Sequence, residues 1–286
     1  MNWRLFVIIL YGILLRFWKL ATIPPLINRV NLLGRFITAG LNIISIYLIY
    51  SIVRKLTSNA KIALLTAFIF TSLPWVIEQS RVVSPVNNSL FIMLLLFYLV
   101  FYLKDNIIKY ITAILLLPFI YFIYPKLWVF NLRQNLPNFT NYLNNIFILS
   151  SADFLFFKNI TFWWGGVREF GVMYISFIPF LIIGIYKAIS EKQIYIILLS
   201  IFIIMFSALS PFFPESREFY LITPVFSFFI AQSIYHLAQK NNIFFRIIFS
   251  LILLLFLYNF GEYLHYYQIH YPQQIFGNIH KINEPF

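Results

Sequence analysis

Apolar runs long enough to cross a lipid bilayer recur along almost the whole chain, and no other feature constrains the fold as much. A spanning helix needs about 20 residues, or about 17 at the low end. Backbone polar groups inside lipid find no water, so each run must satisfy them within itself, as a helix. Nine runs come close to this length, near residues 4–20, 36–52, 62–78, 88–103, 107–124, 170–187, 193–209, 218–236 and 244–260.

Composition supports a membrane protein and excludes other classes. The mean hydropathy is +0.83, and only 10% of the 286 residues are charged. No soluble domain could bury so much apolar surface in one core. Cysteine is absent, which excludes disulfides and thiolate metal sites. The net charge of +12 lies in loops between apolar runs, so we assign it to membrane orientation and anionic lipid rather than to nucleic acid. We predict an integral, multi-pass protein of the cell membrane.

The loops predict the orientation of these spans. Basic residues are densest in short loops such as Arg54–Lys61, which places the N-terminus in the cytoplasm and the C-terminus outside. No internal repeat or linker divides the chain, so we expect one all-α domain over residues 1–286. The outer face then carries the loop 125–169 and an aromatic tail, 261–286. The stretch near 135–157 begins too polar for a span, and we predict an amphipathic helix in the membrane interface.

Cationic side chains gather at the predicted outer helix ends. One interpretation is snorkelling, in which long side chains reach the head-group layer from a helix end. The other is a phosphate site, because the planar guanidinium group of arginine binds phosphate oxygens in pairs. The second interpretation predicts a lipid-phosphate site formed by Arg16, Lys19, Arg35, Arg81 and Arg217, with Arg168 at the same boundary.

The carboxylates on this face are the candidate catalytic groups. Glu78 and Arg81 are three residues apart and could pair on one helical face. Glu215 and Glu218 flank Arg217, and they could either cap the next helix or act as bases. A metal site is not predicted, because the two tail histidines, five residues apart, have no acid in register beyond one nearby glutamate.

Several blocks of the sequence resemble the GT-C glycosyltransferases, membrane enzymes that use polyprenyl-phosphate sugars and include the protein-mannosyltransferase and aminoarabinose-transferase-like proteins. The similar blocks occur in family order over most of the chain. The first is "LRFWKLATIPP", which is similar to the family's exit from its first helix, and "LPWVIEQSRVV" resembles a Ser-Pro-Trp-His-x-x-x-Ser-Arg junction, with valine in place of the histidine. The blocks are residues 15–25, 33–56, 73–83, 151–186, 210–234 and 263–272.

The resemblance implies transfer of a sugar from a polyprenyl-phosphate donor to an acceptor on the outer membrane face. It implies a lipid-linked sugar as substrate and no separate cofactor. In such enzymes a carboxylate a few residues after Ile-Pro-Pro acts as general base, and cations stabilise the leaving phosphate. This sequence has no acid between Lys19 and Ile77, and the family's long first loop is missing.

The missing acid leaves two hypotheses. An active transferase would use another base, with Glu78, Glu215 and Glu218 as the first candidates and Asp153 and Glu169 after them. A catalytically silent relative would bind polyprenyl phosphate or serve as the membrane partner of another protein. A transporter or scaffold is disfavoured, because transporters usually carry related halves with interrupted helices and no such symmetry is visible.

Overall fold

Helices form all of the regular structure in the described part of the chain, as the sequence predicts. The computed structural model describes residues 3–23, 32–83, 85–102, 137–158, 167–209, 217–240 and 243–275, without the side chains of 85–87 and 217–218. The α-helices are α1 (Trp3–Phe17), α2 (Leu32–Thr57), α3 (Ala60–Ser72), α4 (Pro74–Gln79), α5 (Pro85–Tyr102), α6 (Phe139–Ser150), α7 (Ile178–Ser190), α8 (Ile194–Ala208), α9 (Thr223–Ala238) and α10 (Ile243–His265). Single 3₁₀ segments span Ile175–Phe177 and Arg217–Ile222, and π-helical turns span Asp153–Phe157 and Tyr266–His270.

Among the described residues, three helical segments are long and apolar enough to cross a membrane: Leu32–Thr57, Phe219–Ala238 and Ile243–Ile275. Shorter apolar helices cover Ala60–Ser72, Asn88–Tyr102, Ile175–Ser190 and Ile194–Ala208. These segments overlap seven of the predicted spans, and α1 overlaps an eighth, residues 4–20. The predicted span 107–124 lies outside the described residues. The number of crossings and the orientation remain predictions.

The predicted span 62–78 is wrong as one continuous helix. α3 ends at Ser72, Leu73 is extended with φ −62° and ψ 137°, and α4 begins at Pro74. Proline has no N–H to donate and disfavours helical geometry in the residue before it, so the helix breaks there. Glu78 therefore lies in α4, beyond the end of the apolar helix.

The ends of two other predicted elements differ from the structure. The helix predicted near 135–157 is shorter, because α6 ends at Ser150 and a π-helical turn follows. Asn138 caps its start by accepting the Asn141 N–H at 2.8 Å. Toward the C-terminus, the last described helix continues through a π-helical turn to Ile275, so the first part of the predicted aromatic tail is a continuation of that helix.

The core forms around α3 and α9. α3 packs against α2 and α9, while α9 also packs against α7, and α2 against α5. Gly184 of α7 permits one of these contacts, since a Cβ there would collide with the backbone carbonyl of Phe229 in α9. Thr71 and Ser227 are fully buried, and each hydroxyl donates to the carbonyl four residues earlier, at 2.7 and 2.8 Å. These two hydroxyls are thus satisfied within their own helices.

Candidate functional site

Three of the predicted phosphate-binding arginines come together at one end of the helical assembly. Arg16 is in the last turn of α1, Arg35 is in the first turn of α2, and Arg81 follows α4. Their side chains are 0%, 5% and 2% exposed. Arg81 lies close enough to Arg16 and to Arg35 for their charges to repel. We refer to these three residues as the arginine cluster.

The arginine cluster binds the carbonyl oxygens at the C-terminal end of α1 and in the turn after it. Arg81 Nη2 donates to the Trp18 carbonyl at 2.6 Å and Nη1 donates to the Leu15 carbonyl at 3.5 Å. Arg35 Nη1 donates to the Leu20 carbonyl at 3.2 Å. The last carbonyls of a helix have no intrahelical donor and form the negative end of the helix dipole, so cations stabilise them.

Arg16 is anchored through a buried polar relay. Its Nε donates to Asn42 Oδ1 at 2.6 Å, and its Nη1 donates to the Gly12 carbonyl at 3.3 Å. Asn42 Nδ2 in turn donates to the Tyr220 hydroxyl at 2.7 Å. The relay holds the guanidinium of Arg16 between α1, α2 and the segment before α9. Its Nη2 is buried with no hydrogen-bond partner among the described residues.

Arg81 stands over a tyrosine ladder in the last helix. Its guanidinium carbon lies 5.4 Å from the centre of the Tyr267 ring, within the range of a cation–π contact. The rings of Tyr263 and Tyr271 stack on Tyr267 from either side, with centroids 5.7 and 5.5 Å apart. The Nε of Arg81 is buried and has no hydrogen-bond partner among the described residues. Hydrogen bonds to the carbonyls of Leu15 and Trp18 thus hold the guanidinium group of Arg81 in place, while its Nε donor has no partner among the described residues.

The snorkelling interpretation is wrong for the arginine cluster, because these side chains bend inward to carbonyls instead of outward to a head-group layer. Two other boundary cations, Lys19 and Arg168, have described side chains that differ from the arginine cluster. Lys19 is exposed and has a left-handed φ of 53°, which turns it away at the end of α1. Arg168 is exposed as well. The side chain of Arg217 lies outside the described residues.

Glu78 is the buried acid near this end, with 2% of its surface exposed. Its Oε1 accepts the backbone N–H of Val167 at 3.2 Å, and its Oε2 has no hydrogen-bond partner among the described residues. Burial raises the pKa of the Glu78 carboxyl well above its ordinary value, and the hydrogen bond from Val167 opposes this only in part. The carboxyl is thereby held toward its neutral form.

The predicted pairing of Glu78 with Arg81 is wrong. Within the described ranges, the only ion pair joins Lys187 and Glu191, at 2.9 Å and on an exposed helix end. The reason is local: α4 ends at Gln79, so Arg81 does not continue the helical face of Glu78. The Glu78 carboxyl accepts a hydrogen bond from Val167, whereas Arg81 donates to carbonyls at the end of α1.

Of the other candidate bases, Asp153 and Glu169 lie in the described residues, and both are exposed. Asp153 begins the π-helical turn after α6 and is exposed, and Glu169 is exposed in the turn before Gly171. Glu215, like the side chain of Glu218, lies outside the described residues, so its role as a cap or a base stays a prediction. His265 and His270 stack at 5.3 Å, and the described residues contain no group of three or more metal-ligating side chains.

Several site residues were not identified from the sequence. Two tyrosine hydroxyls secure the break between α3 and α4, Tyr174 by donating to the Ser72 carbonyl at 2.9 Å and Tyr263 to the Pro74 carbonyl at 3.1 Å. With 19 tyrosines in the chain, nothing marks these two in advance. Asn42 offered a signal, because an amide inside an apolar helix needs a partner.

A comparison of the chain with protein-family models, with curated proteins and with solved structures found no match in any of the three. The resemblance to the GT-C glycosyltransferases therefore remains a hypothesis that rests on the sequence blocks alone.

Proposed function

We propose that this protein is a membrane glycosyltransferase-like protein that binds a polyprenyl-phosphate sugar through the arginine cluster. The proposal includes transfer of the sugar to an acceptor on the outer face of the membrane. It combines the order of the sequence blocks with one structural observation, the burial of Arg16, Arg35 and Arg81 at one end of the helices.

The unused hydrogen-bonding capacity of the cluster supports an anionic ligand. Arg16 Nη2 and Arg81 Nε are buried donors without a partner among the described residues. Buried charges that lack a compensating partner cost several kcal/mol. Among the described residues, the carbonyl groups at the end of α1 carry only about half an elementary charge, which does not balance the guanidinium groups of Arg16 and Arg81. A phosphate group supplies both the missing charge and oxygens that match the arginine geometry.

Glu78 is the described acid best suited to proton transfer. In the proposed reaction an acceptor hydroxyl oxygen bonds to the anomeric carbon, and the bond from that carbon to the phosphate oxygen breaks. The hydroxyl proton passes to the carboxylate, and the electron pair of the broken bond stays on the phosphate. Glu78 accepts this proton in its ionised form, and the raised pKa makes that carboxylate a stronger base than an exposed glutamate. Glu215 and Glu218 remain alternative bases.

A catalytically silent relative is the second candidate. Two observations favour it: one oxygen of Glu78 is already occupied by the Val167 N–H, and no acid follows the Ile-Pro-Pro sequence before residue 78. Such a protein would hold polyprenyl phosphate, or a partner membrane protein that uses it, without turnover.

One assay separates the two. Purified full-length protein in lipid nanodiscs is given a polyprenyl-phosphate sugar, and both lipid binding and sugar transfer are measured. Transfer that Glu78→Gln reduces at least 100-fold, with binding unchanged, supports the transferase with Glu78 as base. Binding without transfer for every donor supports the silent relative. Absence of binding by wild-type protein overturns both.

A further inference from the structure

An amphipathic groove lies at the opposite end of α1 from the arginine cluster. Arg4 and Arg16 are twelve positions apart on this helix, which corresponds to about 18 Å along its axis. The groove has a volume of about 550 Å³ and is formed by the start of α1, the start of α3 and the end of α9. None of its residues takes part in the proposed sugar site.

The groove combines two cations with apolar walls. Arg4 and Lys61 contribute the charges, and its described lining includes no carboxylate. The walls are apolar or aromatic, with Val7 from α1, Leu64 and Phe68 from α3, and Tyr235 from α9. A solvated ion would not need such walls, and a neutral hydrocarbon chain would not need the cations. The two features together match an amphiphile with an anionic head.

The placement of the groove fits a membrane lipid. Its walls are accessible from outside the helices, since Val7 is 50% exposed and Phe68 is 36% exposed. Both cations also lie at the end of the helices where Arg54 and Lys55 close α2. In the orientation predicted from the short basic loops, this end faces the cytoplasm, where anionic phospholipids concentrate and basic pockets between helices bind their head groups.

We propose that this groove is a binding site for an anionic phospholipid of the inner leaflet, with the phosphate between Arg4 and Lys61 and an acyl chain along α1 and α3. Trp3 takes part in the head-group region, because the Arg4 guanidinium carbon lies 5.6 Å from its ring. Tryptophan is enriched at the membrane–water interface, where lipid head groups lie. The site does not depend on the proposed sugar transfer.

The test measures retained lipid by native mass spectrometry, together with the thermal midpoint, for full-length protein in detergent. The probes are phosphatidylglycerol, phosphatidylcholine and inorganic phosphate. Phosphatidylglycerol is expected to bind to the wild type and raise its midpoint, while the other two probes have little effect. Because each surface cation contributes about fivefold to anionic-lipid affinity, the double variant Arg4→Gln, Lys61→Gln is expected to bind about 30-fold more weakly.

Two further variants keep the test decisive. Arg54→Gln, Lys55→Gln removes the same charge from the same end but lies outside the groove, and it should bind like the wild type. Val7→Trp fills the groove without changing charge and should weaken binding as strongly as the loss of both cations. Equal binding of phosphatidylcholine, an equal effect of free phosphate, equal losses in both double variants, or wild-type binding by Val7→Trp would each overturn the proposal.

Discussion

The two ends of α1 place the same type of side chain in opposite surroundings. At one end Arg16 is fully buried and bound to Asn42 and a backbone carbonyl, and at the other end Arg4 is exposed beside Trp3. An exposed cation keeps its hydration and contributes little to stability. A buried cation has lost its hydration and depends on every partner it has. Under the two proposals, the anion at the buried end compensates charges that have lost their hydration, whereas the exposed end only attracts an anion.

Removing a cation from each end should therefore have unequal effects. Arg81→Gln leaves the Trp18 and Leu15 carbonyls without their donor and is expected to reduce the free energy of unfolding by about 1.5–3 kcal/mol. Arg54→Gln, at the exposed end of α2, should change it by less than about 0.5 kcal/mol. Denaturant titrations of both variants in the same detergent measure this. Equal effects would contradict the distinction between the two ends.

Substitutions of Asn42 test whether the arginine cluster lacks a compensating negative charge. Asn42→Leu removes the acceptor of Arg16 Nε and the donor to Tyr220, so we expect a loss of about 1–3 kcal/mol. Asn42→Asp instead adds an anion beside Arg16 and should retain at least the wild-type midpoint. If Asn42→Asp is as unstable as Asn42→Leu, the cluster does not lack negative charge.

Glu78 predicts a pH dependence. Since its pKa is raised in the folded protein, the folded state binds more protons than the unfolded state above the ordinary pKa of 4.5. Stability from this group is therefore present below pH 4.5 and is lost as the pH rises toward the raised pKa. Glu78→Gln, which is neutral throughout, should flatten this part of the stability curve and be more stable than wild type at alkaline pH. An unchanged pH profile in the variant would show that Glu78 is not the titrating group.

Of these substitutions, removal of the Tyr263 hydroxyl at the break between α3 and α4 should have the smallest effect on stability. Tyr263→Phe leaves the Pro74 carbonyl without its donor and is expected to cost about 1 kcal/mol. Tyr258→Phe, on the same helix but 65% exposed, is the matched control and should be neutral. Thermal midpoints of the two variants provide the comparison, and a neutral Tyr263→Phe would remove this hydroxyl from the support of the buried end.

The sequence predicted that the cations lie at helix ends, but it did not predict which of their side chains are buried and which are exposed. Hydropathy locates the helix ends, so Arg16, Arg35 and Arg81 were predicted to lie together, and the structure brings their side chains close to one another. That this end is the outer membrane boundary stays a prediction. Their burial depends on which helix faces pack inward, and helices that are apolar on most sides carry little periodic signal. Lys19 was grouped with them, although the left-handed turn after α1 leaves its side chain exposed.

The break between α3 and α4 could be predicted from the sequence, but the long-range contacts around it could not. Pro74 in a predicted span was a visible reason to end α3, and with it Glu78 could have been placed outside the apolar helix. The partners across the fold were not visible in this way. The contacts of Val167 with Glu78 and of Tyr220 with Asn42 join residues 89 and 178 positions apart, and no local pattern encodes such pairs.

Binding of polyprenyl phosphate tests the function of the buried end most directly. The full-length protein is titrated with polyprenyl phosphate and with the matching neutral polyprenol, in parallel with the variant Arg16→Gln, Arg81→Gln and the exposed-end variant Arg54→Gln, Lys55→Gln. We expect the phosphate to bind at least 10-fold more tightly than the alcohol to the wild type and to the exposed-end variant, and this preference to disappear when Arg16 and Arg81 are replaced. Equal affinity for both lipids in the wild-type protein, or a preference that survives the loss of both buried arginines, would contradict a phosphate site at the arginine cluster.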